Sequence, residues 1–104
     1  MENIITDLLT QNGFDVDNDG IGAVATKGYT TAVGNKEAHV YLSPSDGYNR
    51  SLTCLYFSKG ENRSSKLIPI GSSDEKVEKL TGSFIVDSEE MIANSFANKL
   101  TNND

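Results

Sequence analysis

Hydrophobic residues near the N-terminus recur with the period of a helix. Four of them share one helical face: Ile4, Ile5, Leu8 and Leu9. Gly13 follows Asn12, a pair typical of a helix that closes with a left-handed residue, and Phe14 can then fold back on the last turn. The pattern predicts a helix over residues 2–12.

In the middle of the chain the hydrophobic period changes to two. Residues 37–43 alternate polar and apolar positions, which predicts a strand with one buried face. Residues 52–57, LTCLYF, are more uniformly apolar and predict a central strand that is covered on both sides. Residues 44–50, PSDGYNR, are rich in turn formers and join these two strands as a hairpin.

Further strands are predicted on either side of this hairpin. Residues 21–26 and 30–33 predict one or two strands before it. Residues 59–65 predict a second polar turn, which leads to a strand at residues 66–70. Because Pro69 has no N–H to donate to a neighbouring strand, this last strand is expected at an edge of the sheet.

The C-terminal third returns to helical spacing. Ser72 and Glu75 predict a capping box that starts a short helix, which Gly82 weakens or ends. Asp87 and Glu90 then predict the start of a second helix. The apolar residues on one face of that helix are Met91, Ile92, Phe96 and Leu100.

These elements predict a single α+β domain over residues 1–104. Its expected fold is an N-terminal helix, an antiparallel sheet of about four strands and two C-terminal helices packed on one face of the sheet. A chain of 104 residues is long enough to bury one core and has the common size of one domain.

Charge is distributed unevenly along the chain, whose net charge is −6. Residues 1–20 carry −5, residues 21–70 carry +3 and residues 71–104 carry −4. The ends are therefore acidic and the middle is mildly basic. Overall acidity argues against general nucleic-acid binding, whose affinity depends on neutralising phosphates.

Cys54 is the only cysteine, so an intramolecular disulfide or a cysteine-based zinc site cannot form. The N-terminal segment has no basic residue before its first apolar positions and predicts no secretory leader. Both features favour a reducing cytoplasm. No apolar run approaches the roughly 18 residues that a membrane-spanning helix needs, so we expect no membrane partner.

Three aspartates at alternate positions precede Gly20 and resemble the start of an EF-hand calcium loop: Asp15, Asp17 and Asp19. The twelfth position of such a loop should be a bidentate glutamate, but here it is Thr26. The residues that follow have strand rather than helix character. The favoured interpretation is therefore an acidic hairpin, with Phe14 and Val16 inward, and no metal site is predicted.

Catalytic chemistry has few candidates in this chain. His39 is the only histidine, and the strand register places it on the face opposite Ala38 and Val40. Cys54 lies within a strand, where a buried thiol that acts as a small hydrophobe is the default. No phosphate-binding or dinucleotide-binding glycine pattern occurs. We therefore predict no enzyme activity, no catalytic residue and no cofactor.

Two sets of residues are candidates for contact with a partner protein. The acidic candidates could pair with a basic protein surface, and they are Asp74, Glu75, Glu78, Glu89, Glu90, Asp15, Asp17 and Asp19. The alternative is a basic and aromatic rim made of turn residues, namely Lys27, Tyr29, Tyr48, Arg50, Lys59 and Arg63.

These features favour a small acidic binding protein that acts by protein–protein contact, as an inhibitor or neutraliser. In size, charge and element order the chain is similar to small phage-borne inhibitors of host nucleases and to toxin-neutralising immunity proteins, although no motif carries this likeness. Three alternatives stay open: a dimeric secretion-type chaperone, nucleic-acid binding through the basic turns, and a hydrolase that uses His39. Whether the protein is a monomer or a dimer is left open.

Overall fold

Along the chain, one helix precedes a run of strands and a second helix follows it. The computed structural model describes residues 2–17, 24–31, 34–44, 46–57 and 61–102, with side chains through residue 95. The elements in these ranges are α1 (Glu2–Gln11), β1 (Asp15–Val16), β2 (Ala25–Thr31), β3 (Gly34–Leu42), β4 (Asn49–Phe57), β5 (Glu61–Pro69) and α2 (Asp74–Asn102). The predicted α+β class, with an N-terminal helix and an antiparallel sheet, is confirmed.

The sheet is a meander in which each strand pairs antiparallel with the next, in the order β1-β2-β3-β4-β5. The described residues form five strands, whereas about four were predicted. The short β1 pairs with the start of β2 through Asp15–Thr26 and Val16–Ala25. Phe14 is buried, Val16 is half-buried and Asp15 is exposed, as the hairpin interpretation of this segment requires.

Local hydrogen bonds close the end of α1 and the turn between β3 and β4. Gly13 adopts a φ of +87°, and the Phe14 N–H donates to the Leu9 carbonyl at 3.0 Å, which closes the helix as predicted. Between β3 and β4, Asp46 Oδ1 accepts the N–H groups of Tyr48 at 2.8 Å and Asn49 at 2.7 Å. These hydrogen bonds, that from Asn49 most of all, lower the pKa of Asp46.

The fifth strand is longer than predicted. Residues 61–65 were predicted as part of a polar turn, but they belong to β5 and pair with residues 53–57 of β4. Their side chains alternate between exposed and half-buried, so a strand forms from polar residues because its partner strand is present. β5 lies at the edge of the sheet and ends at Pro69, as predicted from the missing N–H.

The C-terminal region is one helix rather than two. Gly82 and Asp87 lie inside α2, where a glycine costs only about 1 kcal/mol and packing along the helix outweighs that cost. The helix cap is Ser73, whose Oγ accepts the Lys76 N–H at 3.2 Å. The predicted cap, Ser72, instead donates from its Oγ to the Pro69 carbonyl at 2.6 Å.

Both helices lie on one face of the sheet, called here the inner face. The buried residues of this face come from alternate positions of β2, β3, β4 and β5, and they pack against apolar residues of α1 and α2. The core residues are Ile5, Leu9, Phe14, Ala25, Ala38, Val40, Leu52, Cys54, Tyr56, Ile68, Val77, Phe84, Ile85 and Ile92. The remaining strand positions form the opposite, outer face.

Candidate functional site: the outer face of the sheet

The outer face has no layer of described residues packed on it, yet part of it is apolar. In β4, Cys54 and Tyr56 are fully buried on the inner face, so Leu55 and Phe57 point outward. The prediction that residues 52–57 are covered on both sides is therefore wrong for the outer side. Both helices among the described residues lie on the inner side.

Four outward residues form what we call the outer stripe: Tyr41, Leu55, Phe57 and Leu67. Phe57 is 52% exposed, Leu67 60% and Tyr41 37%, whereas Leu55 is half-buried. Tyr41 pairs with Thr53, which places Leu55 diagonally beside it, and Phe57 follows two residues further along β4. The fourth residue, Leu67 on β5, pairs with Ser51, so the outward Thr53–Ser65 pair lies between it and Leu55.

Charged residues flank the outer stripe. Arg63 and His39 lie on either side of Leu55, because both pair with it across β4. Glu61 pairs with Phe57 on one side, and Glu37 lies on the other, one position beyond the Ala38–Tyr56 pair. Glu61 contacts Arg63 at 3.3 Å and Glu37 contacts His39 at 3.6 Å.

With Asp15 at the β1 edge, the described outer face carries three carboxylates and one guanidinium. Leaving His39 neutral, the described part of this face is therefore net acidic, and a basic surface would complement it.

The inner face distributes charge differently. Three cations of the sheet each meet an acid of a helix: Lys27 with Glu89 at 3.7 Å, Lys66 with Asp87 at 3.6 Å, and Arg50 with Glu2 at 3.3 Å. These contacts join basic residues of the middle of the chain to acidic residues of its two ends. Some of the acidic residues at the two ends of the chain are therefore paired with basic residues of its middle within the same molecule.

Lys27 makes the most varied of these contacts. Its ammonium donates to the Asn12 carbonyl at 3.0 Å, at the C-terminal end of α1, where a cation is favoured by the helix dipole. The same nitrogen lies 5.4 Å from the centre of the Phe14 ring and 5.6 Å from that of Tyr29. Lys27 therefore connects α1, β2 and α2.

A pair of serines lies beneath α2, between this helix and β5. Ser88 is fully buried; its Oγ donates to the Phe84 carbonyl at 2.8 Å and lies 2.6 Å from Ser64 Oγ.

Burial, and to a smaller extent the Glu89 carboxylate, raise the pKa of Tyr29 to about 12. Burial also raises the pKa of the Cys54 thiol, which favours the protonated, unreactive form.

The predicted acidic candidates fall in different places. Asp74, Glu75 and Glu78 are exposed on the first turns of α2, where Lys76 and Lys79 are interspersed among them. Glu90 is exposed further along α2, and Glu89 has an intramolecular partner in Lys27. Asp15 is exposed in β1 and Asp17 directly after it, at the edge of the sheet opposite to β5, and Asp19 lies outside the described residues.

The predicted basic rim is also divided among several surfaces. Lys27, Tyr29 and Arg50 belong to the inner face, where Tyr29 packs edge-on against Tyr56 with ring centres 5.8 Å apart. Arg63 is on the outer face, Tyr48 is exposed in the β3–β4 hairpin, and Lys59 lies outside the described residues. The structure does not bring these residues together as one rim.

The two residues considered for catalysis, His39 and Cys54, are also separated. His39 lies on the outer face and Cys54 on the inner face, so the sheet itself stands between them. Within the described ranges, no three His, Cys, Asp or Glu side chains are grouped as metal ligands would be. A surface groove of about 300 Å³ between α1 and the sheet is flanked by Glu2, which Arg50 already engages.

The outer stripe itself was missed from the sequence. Tyr41 and Phe57 were assigned to strands, but coverage of the second side was expected from the chain itself. The apolar outward positions of β4 were the available signal, and their meaning depends on where the helices pack.

Comparison with protein-family models, with curated proteins and with solved structures gave no match to this chain. Neither α1 nor the described part of α2 is long and apolar enough to span a membrane.

Proposed function

We propose that this is a non-enzymatic binding protein that acts by protein–protein contact, as an inhibitor or neutraliser, and that the outer face contacts its partner. The composition of β4 carries the proposal. The second half of β4 is apolar on both sides, with Leu55 and Phe57 outward, and such a segment is stabilised by cover on both sides; the described chain supplies a helical layer on one side only. A partner protein would supply the other.

The charge of the outer face supports a partner with a basic surface. Glu37 and Glu61 flank the stripe, Asp15 adds a third carboxylate at the β1 edge of the same face, and Arg63 is the one described guanidinium there; complementary charge speeds association and selects the partner. We further propose a cytoplasmic setting, because the only cysteine is a free, buried thiol that forms no structural disulfide.

The test is affinity capture followed by measurement with the purified partner. Truncation of an aromatic anchor that the partner buries should weaken binding about tenfold or more, so Phe57→Ala should do so. Val86→Ser is the matched control, because Val86 is 62% exposed on α2, away from the outer face. Failure to capture any stoichiometric partner would count against a protein-binding function.

Charge reversal separates the two acidic surfaces. Glu37→Lys with Glu61→Lys changes the outer face, and Glu75→Lys with Glu78→Lys changes the first turns of α2 by the same charge. We expect only the first pair to abolish binding. If only the second pair does so, the partner binds the acidic residues of α2 and the outer face is not the contact surface.

A dimeric secretion-type chaperone is the second candidate, because such proteins dimerise through an apolar surface and the outer stripe offers one. Sedimentation separates the two functions: a strict monomer at micromolar concentration argues against the chaperone. Binding of nucleic acid by the basic turns is a weaker proposal, since those residues lie on different surfaces.

A further inference from the structure

We infer that the partner element seated on the outer face is a single basic amphipathic helix of about four turns, lying along β4. This inference rests on the proposed function and specifies the partner of the same surface. Three observations carry it: the dimensions of the outer stripe, the polar residues that bound it, and the carboxylates beside it.

The stripe has the footprint of one helix. A helix of about 10–12 Å diameter that lies over β4 also reaches β3 and β5, each about 4.8 Å away, so Leu55 and Phe57 lie beneath its centre and Tyr41 and Leu67 beneath its two sides. Along β4 the stripe runs from the level of Ser51 to Phe57, about 20 Å at about 3.4 Å per residue. A helix of about 14 residues covers that length.

The margins of the stripe favour a helix over a second sheet. On β2 the outward positions are Thr26, Gly28 and Thr30, which offer little apolar surface to a second sheet. A sheet packed on this side would also have to cover Asp15 and Glu37, whereas a helix along β4 can leave their carboxylates at its flank. Burial of a carboxylate without a partner is costly.

The carboxylates fit cations on both flanks of such a helix. Glu37 and Glu61 lie on opposite sides of the exposed Phe57 ring, where Glu37 contacts His39 at 3.6 Å and Glu61 contacts Arg63 at 3.3 Å. A lysine or arginine of the helix can add to these contacts from either side, over the aromatic ring. A second copy of this chain is a poorer occupant. Its outer face is net acidic too, and the whole chain carries −6, so like charges would face each other.

A synthetic peptide tests the inference directly. The probe is a helix-forming peptide of about 14 residues with leucines at the i, i+3, i+4, i+7 spacing and lysines or arginines elsewhere. A scrambled peptide of the same composition is its control. Binding is followed by amide chemical shifts of the full chain. We expect saturable binding by the helical peptide, with shifts concentrated at β3, β4 and β5.

Variants of the chain locate the site. Phe57→Ala and Leu67→Ser truncate the two ends of the stripe and should each weaken peptide binding about tenfold, as expected for large apolar side chains that an interface buries. Glu37→Lys with Glu61→Lys should abolish it. Val86→Ser, and Glu75→Lys with Glu78→Lys, should leave the dissociation constant within about twofold. Because the first two residues are more than half exposed, these substitutions should leave the fold intact.

Several results would overturn the inference. Equal binding of the scrambled peptide means that charge alone is recognised, and shifts confined to α2 mean that the site is elsewhere. Self-association that Phe57→Ala removes makes a second copy the occupant. If no helical peptide binds, but Phe57→Ala still weakens a captured protein partner, the helix is wrong while the proposed function stands.

Discussion

Replacement of Lys27 by methionine tests whether this residue joins the helices to the sheet. Methionine keeps most of the apolar stem but removes the ammonium, and with it the hydrogen bond to the Asn12 carbonyl, the contact with Glu89 and the approach to two aromatic rings. We expect the variant to fold and to be less stable.

The size of the loss follows from the contacts of the ammonium. A hydrogen bond from a charged donor contributes about 1.5–3 kcal/mol. Each cation–π contact at a partly exposed site adds about 0.5–1 kcal/mol, and the ion pair with Glu89, which is partly exposed, adds about 0–1 kcal/mol. These terms share one nitrogen and are not additive, so we expect Lys27→Met to cost about 2 kcal/mol, which lowers Tm by roughly 10 °C.

Urea unfolding followed by circular dichroism measures this loss, and Glu89→Gln is the informative companion. Because the ion pair is the smallest contribution, Glu89→Gln should cost less than about 1 kcal/mol, and the difference between wild type and Lys27→Met should persist in about 1 M NaCl. Equal losses for both variants, or a difference that disappears in salt, would show that the ion pair dominates. No loss for Lys27→Met would refute the reasoning altogether.

Four other expectations can be checked on the same protein. Gly82→Ala should stabilise the fold by about 0.5–1 kcal/mol, since a Cβ there contacts nothing, whereas Gly71→Ala, at a φ of +82°, should destabilise it; urea midpoints that move the other way would contradict this. Cys54 should react with a thiol reagent only after unfolding, and rapid labelling of the native protein would disprove its burial. Tyr29 holds its proton more tightly when folded, so its contribution to stability is full below pH 10 and is lost as the pH rises towards 12; a difference absorbance titration against Tyr29→Phe should show a midpoint near 12 rather than 10. Micromolar calcium should leave the amide shifts of Asp15 and Asp17 unchanged, because Thr26, in the position of the EF-hand glutamate, is a paired residue of β2; saturable shifts would restore the metal site.

Local sequence signals located the elements whose chemistry is local. The Asn12–Gly13 helix end and the Asp46 turn needed only their own neighbours, and both were predicted. Gly82 misled the prediction because helix propensity is a weak preference, and contacts along the whole of α2 outweigh it. The turn prediction for residues 61–65 was wrong for a similar reason, because polar residues form a strand when they can pair with β4.

The charge pattern shows a second limit of the sequence. Acidic ends and a basic middle suggested surfaces for a partner, but charge along a chain does not say which charges meet after folding. Lys27, Lys66 and Arg50 meet helix acids of the same molecule. The outer face is a third case: the two-sided apolar character of β4 could be recognised, but which side would stay open depends on the direction in which both terminal helices pack.

The position of α2 in the chain has a consequence for synthesis on the ribosome. The helix supplies Val77, Phe84, Ile85 and Ile92 to the core, so the inner face of the meander is not fully covered until these residues have left the exit tunnel. Until then the nascent sheet exposes apolar residues on both of its sides. A nascent chain that stalls with Phe84 still inside the tunnel, but with β5 outside, would therefore present a sheet with uncovered apolar residues, and we expect a chaperone to bind nascent chains of this length.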